Sequence, residues 1–148
     1  MRSLFKITFA LLFLFGITQA REFSKYEKNA VEKYKLNEEG ILKEMIAIWS
    51  VDLKGYWNFA VRYNFCKKPF RHTRFLHASP YRKEKTTHEI FTIKSFYEIS
   101  DNEIGYVFSH EKGGSEMFTY DIKKKKLNFL IGPNDETLEM KREECKKE

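Results

Sequence analysis

Gly55-Tyr56-Trp57-Asn58-Phe59-Ala60-Val61-Arg62-Tyr63-Asn64-Phe65-Cys66 is the stretch that decides how this chain folds. Trp57, Phe59, Val61, Tyr63 and Phe65 occupy every second position, with Asn58, Ala60, Arg62 and Asn64 between them. A period of two with one apolar side is the pattern of a strand with one buried face. It predicts a strand over residues 55–66, with the apolar set turned inward. A second reading stays open, in which residues 53–60 form a short helix and the strand is confined to residues 61–66.

Upstream the period changes. Ser24 followed by Glu27 matches a capping box, and Tyr26, Ala30, Val31 and Tyr34 follow at helical spacing. Asn37 offers a second cap with Glu38 and Glu39 behind it, and Ile41, Leu42, Met45, Ile46 and Trp49 make an apolar stripe of period 3.6. One kinked helix or two is therefore expected before the central strand.

Residues 1–20 read as a leader rather than as fold. Arg2 and Lys6 precede an almost entirely apolar run, and Thr18-Gln19-Ala20 ends it with a small residue. This is the pattern of a secretory signal peptide cleaved before Arg21. No later stretch is long and apolar enough to suggest a span. A secreted, extracellular single domain over residues 21–148 is expected. Losing Arg2 and Lys6, and no acid, takes the net charge from +6 to +4. So mild a balance, in a secreted chain, argues against nucleic acid as a partner.

Downstream, Pro69 ends the central strand; Phe70, Thr73, Arg74, Phe75 and Leu76 show no clear period of two, and residues 75–78 can close a short helix before Pro80. From Thr86 the two-residue period returns. Phe91, Ile93, Tyr97 and Ile99 share one face. Ile104, Tyr106, Phe108 and His110 share another, Phe118, Tyr120 and Ile122 a third, and Leu127, Phe129 and Ile131 a fourth. Asp101-Asn102, Gly113-Gly114 and the lysines at 123–126 read as the turns between them. In the tail, Leu138 and Met140 alternate with polar residues, so it can extend as a strand.

Cys66 and Cys145 are the only cysteines. In an oxidising compartment they are expected to pair with each other. Neither has a cysteine or histidine at metal-ligand spacing, and no metal or cofactor is expected. Among four histidines, His72 and His77 read as surface groups. His110 shares the apolar face of Tyr106 and Phe108, so it sits either inside a pocket as a possible acid or base, or at the exposed end of its strand. The sequence contains no Gly-x-Ser-x-Gly, no His-Glu-x-x-His and no phosphate loop. Aromatic residues make up 16% of the chain. Placed on inward strand faces, they either fill the interior or line a hydrophobic cavity. The candidate lining is Trp57, Phe59, Tyr63, Tyr97, Tyr106, Phe108, Phe118 and Tyr120.

Two resemblances bear on the architecture. Gly55-Tyr56-Trp57 resembles the Gly-x-Trp opening of lipocalins, which are secreted eight-stranded barrels that carry small apolar ligands. The order of elements over residues 26–131 is similar to the nuclear transport factor 2-like (SnoaL-like) superfamily. There, N-terminal helices pack in a strongly curved antiparallel sheet, and small secreted members share a cysteine after the first strand and a lysine-rich turn before the last. Catalytic members use Asp and His inside the cone; the resemblance is too loose to place those residue by residue, and no catalytic role is carried over to this chain. The expected fold is thus α+β, with N-terminal helices on a curved sheet of four to six strands; the alternative is an all-β lipocalin-like barrel. The expected function is that of a small non-catalytic binding or interaction domain with an aromatic-lined cavity, for which a small apolar ligand is the expected partner. The alternatives are an enzyme working through His110, or a lipocalin-type carrier. Oligomeric state stays open.

Overall fold

A computed structural model of the chain describes residues 22–134 and 136–147. The expected leader and its cleavage point before Arg21 lie outside the described residues.

Helix α1 (Lys25–Tyr34) starts as its capping box dictates. Ser24 Oγ accepts from the Glu27 N–H at 3.2 Å, and Glu27 Oε1 accepts from the Ser24 N–H at 3.1 Å. Asn37 does cap, but it caps a turn: its Oδ1 accepts from the N–H groups of Glu39 and Ile41, both at 3.0 Å. The expected second helix does not form. A 3-10 turn, Lys43–Met45, leads straight into β1 (Ile48–Asp52).

The rest is an antiparallel meander: β2 (Phe59–Asn64), β3 (Arg71–Leu76), β4 (Lys85–Ser100), β5 (Glu103–His110), β6 (Ser115–Asp121), β7 (Lys126–Leu130), β8 (Thr137–Glu139) and β9 (Lys141–Glu143). Each strand from β1 to β8 pairs with the next. β9 returns to pair with β1. Only Met140 separates β8 from β9, so one tail segment bonds to β7 with its first half and to β1 with its second. The two ends of the sheet thereby meet, and the molecule is a nearly closed antiparallel barrel. This overturns the expected α+β cone and fits the all-β alternative, with α1 as the one α-helix among the described residues.

The helical stripe misled because from Met45 onward, over residues 45–53, the inward residues also satisfy a period of two. Met45, Ala47, Trp49 and Leu53 are all fully buried, as a strand and its flanks require. Pairing on both sides, with β2 and with β9, selects the strand. At residues 53–57 neither expectation holds: Leu53 O accepts from the N–H groups of Tyr56 and Trp57, at 2.9 and 2.8 Å, making a single turn. Strand β2 begins only at Phe59. Residues 71–76, where no strand and then a short helix were expected, form β3.

The tail is held twice. Cys66 and Cys145 are disulfide-bonded, with Cα atoms 5.6 Å apart. Beside them Arg142 lies over the Trp49 ring at 5.8 Å and donates to the Glu44 carbonyl, while Trp49 Nε1 donates to the Met45 carbonyl at 3.0 Å. Inside the barrel the aromatic rings pack on one another. Phe108 stacks on Phe118 at 4.3 Å, Tyr63 meets Phe91 and Phe118 edge-on at 4.9 and 5.0 Å, and Phe129 meets Phe118 at 5.1 Å. Burial of each such ring stabilises by roughly 1.5–3 kcal/mol, and the edge-on geometry adds to it. No described helix is long and apolar enough to cross a membrane.

Candidate functional site

Five neighbouring strands each place one polar side chain at the same level of the barrel interior. These are Tyr63 on β2, His72 on β3, Glu89 on β4, His110 on β5 and Glu116 on β6. The register explains the layer. Tyr63 pairs directly with His72, and His72 with Glu89. His110 pairs with Phe91, two residues beyond Glu89, and Glu116 pairs with Phe108, two before His110. Because side chains alternate, residues two apart share a face, so all five point inward.

The layer is tightly connected. Glu89 Oε1 lies 3.2 Å from His110 Nδ1 and 3.4 Å from His72 Nδ1. Its other oxygen, Oε2, accepts from the Lys112 backbone N–H at 3.2 Å, which fixes the carboxylate's orientation. His110 Nε2 lies 2.9 Å from the Tyr63 hydroxyl, and that hydroxyl donates a short hydrogen bond to Glu116 Oε2. Arg74, next along the inner face of β3, donates to Glu116 Oε1 at 2.8 Å and lies over the Phe59 ring at 4.6 Å. The rings of His72 and His110 are stacked.

Burial governs the protonation states. The Tyr63 phenol is pushed well above its usual value, first by burial and then by the Glu116 carboxylate. It therefore keeps its proton and donates it in a hydrogen bond to Glu116, so its oxygen accepts from His110 Nε2–H. Burial, reinforced by His110 and Arg74, holds His72 down to about 3, so its ring is neutral. His72 is 1% exposed, and neither of its ring nitrogens has a hydrogen-bonding partner among the described residues. Its approach to Glu89 has the distance of an ion pair without hydrogen-bond alignment.

The layer borders a pocket of about 350 Å³, lined among others by Arg74, Thr87, Glu89, His110, Lys112 and Glu116. Gly113 and Gly114 form its rim. Both have positive φ, at 105° and 89°, which lets the β5–β6 connection turn tightly beside His110. A second recess of about 250 Å³ lies against Pro69, Phe70, Phe91 and Ile93.

The expected site residues divide. His110 lies in the buried layer and not at an exposed strand end. Tyr63, Tyr106, Phe108, Phe118 and Tyr120 are buried in the interior, with Phe59 partly buried at its edge. Burial pushes the Tyr120 phenol up to about 12. Trp57 is 41% exposed and stacks on Phe59. Tyr97 is 42% exposed, because a bulge between Ile93 and Ser95 reverses the phase of β4 and turns Phe96 inward in its place. His72, expected at the surface, is buried; His77 bonds Asp52 at 2.9 Å at the periphery. That bond is the main cause of the lowered Asp52 pKa.

His72, Arg74, Glu89 and Glu116 were not singled out from the sequence. Extending two faces backward would have found two of them: Glu89 lies two residues before Phe91, and Glu116 two before Phe118. A comparison with family models, with curated proteins and with solved structures finds no significant match.

Proposed function

We propose that this chain is a secreted small-ligand binding protein of the lipocalin type, which takes a small polar ligand at the mouth of its barrel. The observation that carries this reading is the polar layer of Tyr63, His72, Glu89, His110 and Glu116 beside a solvent-connected pocket. A barrel interior needs no such groups for stability, since burying ionisable side chains costs more than burying apolar ones of the same volume. The aromatic rings deeper in the barrel spend their surfaces on each other. That favours the polar mouth over the aromatic interior as the place where a ligand binds. The disulfide and the leader pattern of residues 1–20 support export to an oxidising compartment.

An acid–base enzyme is the second reading, favoured by the contacts that link Glu89, His110, Tyr63 and Glu116. Both nitrogens of His110 already face protein groups, however, so neither is turned to a substrate. This supports binding over catalysis.

Native mass spectrometry of the protein secreted from a eukaryotic host tests the proposal. The expected mass is that of a chain beginning at Arg21 with one disulfide, carrying a small molecule that Glu116→Ala no longer retains. A retained Met1 would sink the claim of secretion. A bare chain in every preparation, together with a polar fragment library that shifts no resonance of His110 or Lys112, would sink the claim of a binding site.

A further inference from the structure

We propose that His72, Glu89 and His110 form a binding site for a divalent transition metal, with zinc as its natural probe. The inference rests on reading the polar layer as the protein's binding site, and it names the chemistry of what binds there.

Three donor atoms converge. His72 Nδ1 and His110 Nδ1 lie 3.4 and 3.2 Å from the same oxygen, Glu89 Oε1. Metal bonds of ~2.0–2.1 Å at tetrahedral angles place neighbouring ligand atoms ~3.3–3.4 Å apart. Two edges of a tetrahedral site are thus already at their required length. The three ligand atoms all lie within 4.8 Å of one another, so rotating one imidazole out of the ring stack closes the third edge.

The outer contacts suit the same purpose. Tyr63 holds the His110 ring through Nε2, which leaves Nδ1 turned toward the carboxylate. His72 is the stronger sign: a buried ring with both nitrogens unbonded among the described residues is costly unless something is meant to bind it. Glu89 has no Lys or Arg ion pair among the described residues, since Arg74 is engaged with Glu116. The Lys112 N–H on Oε2 holds Oε1 toward both rings. Two histidines and one carboxylate are a common zinc set, and the pocket alongside Glu89 and His110 leaves a fourth position for water or a ligand.

Zinc titration into the full secreted protein, stripped of metal with EDTA and dialysed, tests this by calorimetry. One zinc per chain is expected. Glu89→Gln and His72→Gln should each weaken it by more than the ~10–100-fold that losing an outer-shell partner brings, and Tyr63→Phe should fall within that range. His77→Gln and His88→Gln should bind as the parent does. Cobalt in place of zinc should give the intense visible bands of a tetrahedral site. Because a buried variant can fail to fold, the imidazole nitrogen resonances of the unaltered protein give an independent readout: Nδ1 of both His72 and His110 should shift on zinc addition. Absence of stoichiometric zinc, equal affinity in Glu89→Gln, or Nδ1 resonances that zinc leaves unmoved would each overturn the proposal. The two readings separate cleanly. A small molecule lost in Glu116→Ala without any zinc binding keeps the carrier and overturns the metal site; zinc bound, with no retained molecule and no response to the fragment library, supports the metal site and removes the carrier.

Discussion

His72 and His110 stack with ring centroids 4.2 Å apart and planes 22° from parallel, although they come from β3 and β5 with β4 between them. Glu89, on that intervening strand, reaches both. A directly paired residue and its diagonal neighbour are the two cross-strand relations that bring side chains together on one face, and this site uses both.

Tyr63→Phe should cost about 1–3 kcal/mol, the usual penalty for leaving buried polar groups without a partner. The hydroxyl joins His110 Nε2 to Glu116 Oε2, and its loss leaves those two atoms without this partner, although Arg74 still holds Glu116 Oε1. Urea unfolding measures this. A change below a few tenths of a kcal/mol would mean that water replaces the hydroxyl without penalty.

Gly40→Ala should be much more damaging than Gly105→Ala. Gly40 has φ at +87°, and an added Cβ would lie 2.3 Å from the buried Phe96 ring, so strain and overpacking of ~1–3 kcal/mol each combine. At Gly105 the Cβ would meet Tyr97 at 2.4 Å, but that ring is half-exposed and can swing away. Thermal unfolding of the two variants ranks them; the reverse order would contradict the packing described.

Reduction of Cys66–Cys145 should destabilise by at most about 4.5 kcal/mol, since the bond closes a loop of sequence separation 79 and chain-entropy values are seldom fully realised. β9 should lose amide protection first, because it is a three-residue strand held by β1 and the disulfide. Hydrogen exchange with and without reductant shows whether protection is lost there or uniformly.

Arg142→Lys should loosen the barrel's closure despite preserving the charge. A guanidinium can lie flat over Trp49 while two of its nitrogens reach the Glu44 carbonyl, and an ammonium cannot do both. A red-shifted Trp49 emission and a loss of ~1–2 kcal/mol are expected. An unchanged spectrum and stability would show that the stack contributes nothing.

Local chemistry was legible in the sequence wherever one residue's preference decides the outcome. The capping box formed at Ser24, the turns fell at Asp101-Asn102, Gly113-Gly114 and the lysine run, and the two cysteines paired. The long strands β4 to β7 lay where a period of two places them, because their inner faces are mostly apolar. Only the tertiary structure decided the rest. Residues 45–53 satisfy both helical and strand periods, and the choice came from hydrogen-bond partners on β2 and β9, far away along the chain. The bulge in β4 is one unpaired residue, invisible to periodicity, and it exchanged Tyr97 for Phe96. β3 was hidden by the site itself: its inward positions carry His72 and Arg74, and polar groups there erase the apolar alternation by which a strand is recognised. The polar layer depends on the relative register of five strands, which barrel closure sets and no single segment encodes.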